Sequence, residues 1–148
     1  MMRIRKILFA TDFSRSSKRA FDAALEMAKQ NRAELTIFHA LAMPIVYTDG
    51  EAAPPSLYNR IEADARKYAE SALARLEAAA KKAKVKCLTQ LRKGAAAQQI
   101  LRAAKGRRVD LIVMGTQGRT GLSKLLLGSV ASRVVSMSDR PVLTVRGR

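Results

Sequence analysis

Val109-Asp110-Leu111-Ile112-Val113-Met114 runs directly into Gly115-Thr116-Gln117-Gly118-Arg119-Thr120-Gly121, and Gly128-Ser129 follows seven residues later. An apolar, β-branched run of this length reads as a strand covered on both faces. The glycines after it read as a loop at the carboxyl end of that strand. Beyond Gly128, apolar residues return at Val130, Val134 and Met137, the spacing of a helix. A strand, a glycine-rich loop and a helix in succession form the second half of a βαβ crossover, which commits the chain to the α/β class.

Working outward, the same alternation recurs. Residues 4–10 form a first apolar strand, and Ser17, Phe21, Ala24, Leu25 and Ala28 share one face of a helix that starts near Ser14 or Ser16 and ends near Asn31. Residues 35–40 form a second strand. Residues 41–56 carry Pro44, Gly50, Pro54 and Pro55 and read as a loop. A long amphipathic helix runs from Leu57 to Ala83, a third strand covers residues 85–91, and an Ala-rich helix covers residues 95–105. Residues 141–145 close the chain as a fifth strand. The order βαβαβαβαβ requires right-handed crossovers and a doubly wound parallel sheet with helices on both faces, formed here as one domain over residues 1–148. Ligands of such sheets sit beyond the carboxyl ends of the strands, so the loops after strands one, two and four carry the functional expectation.

Composition narrows the chemistry. With 148 residues, 48% of them hydrophobic, the chain can bury a substantial core. One Cys cannot close an internal disulfide, and one His cannot supply a zinc cluster; Cys87 reads as a buried thiol. No run approaches the roughly 20 apolar residues of a membrane span, and the apolar run near the start ends at Thr11-Asp12, so a cytoplasmic protein is expected. The 28 Lys and Arg against 12 Asp and Glu give +16. Residues 87–148 hold 12 of the cations and only 2 of the acids, so the basic excess lies in the half that carries the glycine loop.

Glycines after a strand let backbone amides approach a ligand, and the helix opening at Gly128-Ser129 turns its own amides and positive dipole end toward the same space. Phosphate oxygens suit that arrangement, and Arg119 and Lys124 add charge. Neither the Walker spacing nor the dinucleotide fingerprint is present. The pattern is Gly-x-x-Gly, nine residues, Gly-Ser, at Gly115, Gly118, Gly128 and Ser129. The plainer alternative is that Gly115 and Gly118 only turn the chain while Ser129 serves its own helix.

With this pattern, with Lys6-Ile7-Leu8-Phe9-Ala10-Thr11-Asp12-Phe13-Ser14 before it and Arg140-Pro141-Val142-Leu143-Thr144-Val145 after it, the whole chain resembles the universal stress protein family. The resemblance implies a Rossmann-like, adenine-nucleotide-binding sheet of strand order 3-2-1-4-5, with homodimers formed through the last strand, here Val142 to Val145. It also implies ATP as ligand, with or without Mg²⁺. Asp12 and Gly115 would hold the ribose beside Ala10, Thr11 and Met114, and the backbone at Ala40 would meet adenine. Gly118, Arg119, Gly128, Ser129 and Val130 would surround the phosphates. Ala10 stands where the family usually has proline, which leaves the Asp12 loop less rigid.

Two readings of function follow. In the first, the chain holds ATP with little or no turnover, at most as a slow ATPase, and serves as a nucleotide-dependent stress-response regulator: no motif positions an attacking water, and His39 has no motif partner. In the second, it is a basic binder of nucleic acid, or a docking module of the branch that does not bind ATP. Arg102, Lys105, Arg107 and Arg108 favour the former variant, whereas 5% aromatic content and the lack of Trp count against base stacking.

Overall fold

The computed structural model describes residues 2–117 and 126–147. Strands β1 (Lys6–Ala10), β2 (Glu34–Leu41), β5 (Cys87–Lys93), β6 (Leu111–Gly115) and β7 (Val142–Val145) form one parallel sheet in the order β5-β2-β1-β6-β7. Counted along this sheet alone, that is the expected order 3-2-1-4-5. Helices α1 (Arg15–Asn31), α2 (Pro55–Lys82), α3 (Ala96–Gly106) and α4 (Ser129–Met137) make the crossovers.

The two-residue period of β1 sorts its side chains between two cores. Ile7 and Phe9 join Leu35, Ile37, Leu111 and Val113 beneath α1 and α2, where Phe21, Ala24 and Leu73 close the layer. Leu8 and Ala10 join Phe38, Ile112 and Met114 on the other face, against Ala97, Ile100 and Ala104 of α3 and Ala131 and Val134 of α4. Small alanines at the helix contacts let α3 lie close to the sheet. The crossover from β1 therefore runs over one face and that from β6 over the other, so the chain reverses its winding between these two neighbours.

At the amino ends of the strands, polar contacts fix the register. Asp110 Oδ2 accepts from the amides of Arg5 at 2.8 Å and Lys6 at 2.9 Å. Glu34 meets Arg107 at 3.2 Å and Lys86 at 3.4 Å. Burial alone would raise the Glu34 pKa, but hydrogen bonds from Arg107 and Lys86 prevail and hold it below the usual carboxylate value.

Apart from shifts of one or two residues at the ends of other elements, the structure departs from the sequence reading at the following points. The loop after β2 contains a hairpin, β3 (Tyr47–Thr48) with β4 (Glu51–Ala52), whose turn residues Asp49 and Gly50 both take positive φ, at 52° and 81°. Helix α2 begins at Pro55, two residues before the expected Leu57, because proline is suited to the first helical turn. Strand β5 is displaced to Cys87–Lys93, where it runs in register with residues 35–41 of β2. Cys87 is half-buried rather than buried; desolvation, then the nearby Glu77 charge, pushes its thiol pKa up. Among the described residues, no helix is long and apolar enough to cross a membrane.

Candidate functional site

Beyond the carboxyl ends of β1, β2 and β6, on the α3 and α4 side, the chain encloses a cavity of about 200 Å³. Its inner wall is apolar: Ala10 from β1, Phe38 and Ala40 from β2, Met114 from β6, and Ala96 and Ile100 from α3. Its mouth is built from Thr11 and Asp12 on one side and from Gly115, Thr116 and Gln117 on the other.

The Thr11 to Ser17 segment is held by its own polar groups. The Thr11 amide donates to the Phe38 carbonyl at 2.9 Å, which continues the sheet one residue past β1. Ser17 Oγ donates to the Ser14 carbonyl at 2.8 Å, so the 3.0 Å contact between Thr11 Oγ1 and Ser17 Oγ has threonine as donor. Thr11 Oγ1 in turn accepts from the Phe13 amide at 2.9 Å. Asp12 Oδ1 accepts from the Ser14 amide at 2.9 Å, a local turn that keeps the carboxylate at the cavity mouth. Between them Phe13 has φ 64°, a conformation that costs a bulky residue of order 1–3 kcal/mol. Its ring lies on His39, with centroids 4.4 Å apart. His39 Nδ1 is 2.7 Å from the Thr11 carbonyl, which can only accept, so this nitrogen carries the proton.

The opposite side is set by α4. Its N-cap is Gly128, which has no side chain to offer, and no described side chain caps the helix. The Gly128 amide donates to the Thr116 carbonyl at 2.6 Å, and the Gly128 carbonyl accepts the first helical bond from Ser132 at 2.8 Å. The helix start is thereby tied to the end of β6, with Gly128, Ser129, Val130 and Ala131 on the cavity. The first amides of a helix have no partner within it, so this end presents donors and positive potential. Beneath the mouth, Gly115 packs under Ser16: a Cβ on Gly115 would stand 3.3 Å from the Ser16 carbonyl oxygen, and one on Gly147 would stand 2.6 Å from Ser16 Cβ. Ser16 Oγ donates to the Gln117 carbonyl, so α1, β6 and the C-terminal segment meet at this serine.

A sequence model of the universal stress protein family matches residues 3–146. The universal stress protein YxiE of Bacillus subtilis is 35% identical over 145 residues, which cover 95% of this chain and 98% of YxiE. The chain belongs to the universal stress protein family. Among solved structures, MJ0577 of Methanocaldococcus jannaschii superposes with a TM-score of 0.86 at 24% identity, covering 100% of this chain and 99% of that one. A universal stress protein solved in complex with cAMP superposes with a TM-score of 0.63 at 27% identity, with 99% of each chain covered.

In this universal stress protein, Ala10, Thr11, Asp12, Ala40, Met114, Gly115, Gly128, Ser129 and Val130 line the same cavity. Gly118 and Arg119 lie outside the described residues. Phe38, Ala96, Ile100, Thr116, Gln117 and Ala131 join the lining although the sequence does not mark them as site residues, and His39, read from sequence as a polar residue with no catalytic partner, lies on it too. Thr116 and Gln117 sit inside the glycine-rich segment and were open to detection; Ala96 and Ile100 carry no mark that separates them from core residues. Of the four clustered cations, Arg107 is engaged by Thr36 at 3.1 Å and Glu34 at 3.2 Å, while Arg102, Lys105 and Arg108 face outward.

Proposed function

We propose that the cavity binds an adenine nucleotide, with ATP as the physiological ligand, and that the protein holds it as a regulatory signal with little or no hydrolysis. The observation that carries this reading is the glycine-capped start of α4 facing the same cavity as the carboxyl ends of β1, β2 and β6. A helix terminus with no side-chain cap among the described residues, at the topological switch of a parallel sheet, suits a phosphate group. A related universal stress protein holds cAMP, which adds support for an adenine ligand.

The base would lie against Ala40, Ala96 and Ile100, with main-chain groups at Ala40 meeting its edge. The ribose would sit between Asp12 and Gly115, where a carboxylate can accept from a hydroxyl without facing the phosphates. The phosphates would extend over Gly128, Ser129 and Val130 toward Gly118 and Arg119. Among the described residues, no group of three or more His, Cys, Asp or Glu could hold a metal ion, so Mg²⁺ would travel with the phosphates and take at most the Asp12 carboxylate. The chain forms a homodimer by pairing the exposed edge of β7, Val142–Val145, with its counterpart in a second copy.

Mass spectrometry of ligand released from purified protein tests the nucleotide reading. The expected finding is ATP in wild type and its loss in Gly128→Val. Protein that carries no nucleotide and ignores added ATP in calorimetry contradicts it. The nucleic-acid reading has weaker support, since Arg107 is already occupied; steep loss of duplex binding with salt would be its mark.

A further inference from the structure

A second cavity, of about 320 Å³, lies on the opposite face of the sheet, between α1 and α2. Its floor is closed by the core residues Phe9, Phe21 and Ala72, with the half-buried Phe13 and Leu76 above them, and Tyr68 stands over it with 54% of its surface exposed. Three cations line it: Arg15 and Lys18 from α1, and Arg75 from α2. No carboxylate belongs to the lining, and none of the three cations forms an ion pair among the described residues.

Two features separate this hollow from a chance gap between helices. Arg15 and Lys18 occupy the first turn of α1, which has no acidic residue. Cations there oppose the positive end of the helix dipole, so the fold accepts a local cost to place them at the cavity, and an anion beside them would relieve it. Above that floor the half-buried Phe13 and Leu76 and the exposed Tyr68 supply what the cations do not, an accessible apolar surface for a ring or a short alkyl chain. The volume lies within the range of small-molecule sites.

We infer that this cavity is a second binding site, distinct from the first cavity, for a small amphipathic anion whose apolar body rests on Phe13, Tyr68 and Leu76 and whose acidic head meets Arg15, Lys18 and Arg75. The site shares Thr11 with the first cavity but opens on the other side of the sheet. The inference does not depend on what the first cavity holds.

The test uses the aromatic sulfonate 8-anilinonaphthalene-1-sulfonate as fluorescent probe, titrated into the full chain with and without ATP. The expected result is saturable binding of one equivalent that ATP does not displace and that decanoate or phenyl phosphate does; the better competitor identifies the head group as carboxylate or phosphate. Arg15→Glu with Arg75→Glu should weaken probe binding at least about five-fold. Arg102→Glu with Lys105→Glu, an equal change of charge on α3, should leave it within about two-fold. Tyr68→Ala, at an exposed position, should also weaken it. Displacement by ATP, equal loss in both charge-reversal variants, or no saturable binding would overturn the inference.

Discussion

Replacing Ser129 by aspartate should move stability and nucleotide affinity in opposite directions. Ser129 is the first residue of α4, is exposed, and lies on the cavity. A carboxylate in the first turn of a helix is favourable by about 0.3–1 kcal/mol, and for a chain of this size that raises Tm by about 1–4 °C. The same carboxylate would stand roughly 5 Å from a bound phosphate. Coulomb repulsion there is about 1–3 kcal/mol per charge pair, between the screened limit of water and the value near a protein surface, which predicts a 5- to 150-fold rise in Kd for ATP at low salt. Ser129→Asn, which adds the same bulk without the charge, should change Kd by less than about three-fold. Calorimetry for Kd and thermal melting for Tm read both effects. Unchanged ATP affinity in Ser129→Asp, or equal loss in Ser129→Asn, would refute the placement of phosphates at this helix end.

Gly147→Ala should cost roughly 1–3 kcal/mol in denaturant unfolding, since its Cβ meets the Ser16 backbone, whereas Gly115→Ala, with its nearest contact at 3.3 Å, should cost less. Glu34 has its pKa lowered in the folded state, so its contribution is complete above the usual value of 4.5 and is lost as pH falls through the lowered one. Glu34→Gln should therefore be less stable than wild type at pH 7 and converge with it in acid, as followed by melting temperature against pH. Light scattering at micromolar concentration should give twice the chain mass; monomer alone would contradict pairing through β7. Cys87, its thiol raised by burial, should react with iodoacetamide more slowly at neutral pH than a free cysteine does.

The sheet was legible because β1, β2, β6 and β7 are short, mainly apolar runs and each crossover helix keeps a 3.6-residue stripe. The β3–β4 hairpin was not, because two-residue strands leave no alternation to detect; Asp49-Gly50 was its one available sign. Strand β5 slid by two residues because Arg92 and Lys93 look like loop residues, yet an edge strand tolerates exposed charge. In the candidate site, Gly115 and Gly128 were visible as glycines flanking the loop at the carboxyl end of a central strand, the sheet end where ligands of this fold class are expected. Phe38, Ala96 and Ile100 were hidden, because an apolar side chain facing a cavity has the same chemistry as one facing a core. Gly147 was hidden for another reason: its need for a bare Cα comes from Ser16, 131 positions away, a proximity that exists only after β7 has joined the sheet.

The most direct measurement is ¹⁵N-resolved NMR of the protein titrated with ATP. The account predicts that the amides of Ser129, Val130 and Ala131 shift together with those of Asp12, Ala40 and Gly115, saturating at one equivalent. Shifts confined to exposed basic residues such as Arg102 and Arg108, with the α4 amides unmoved, would contradict it.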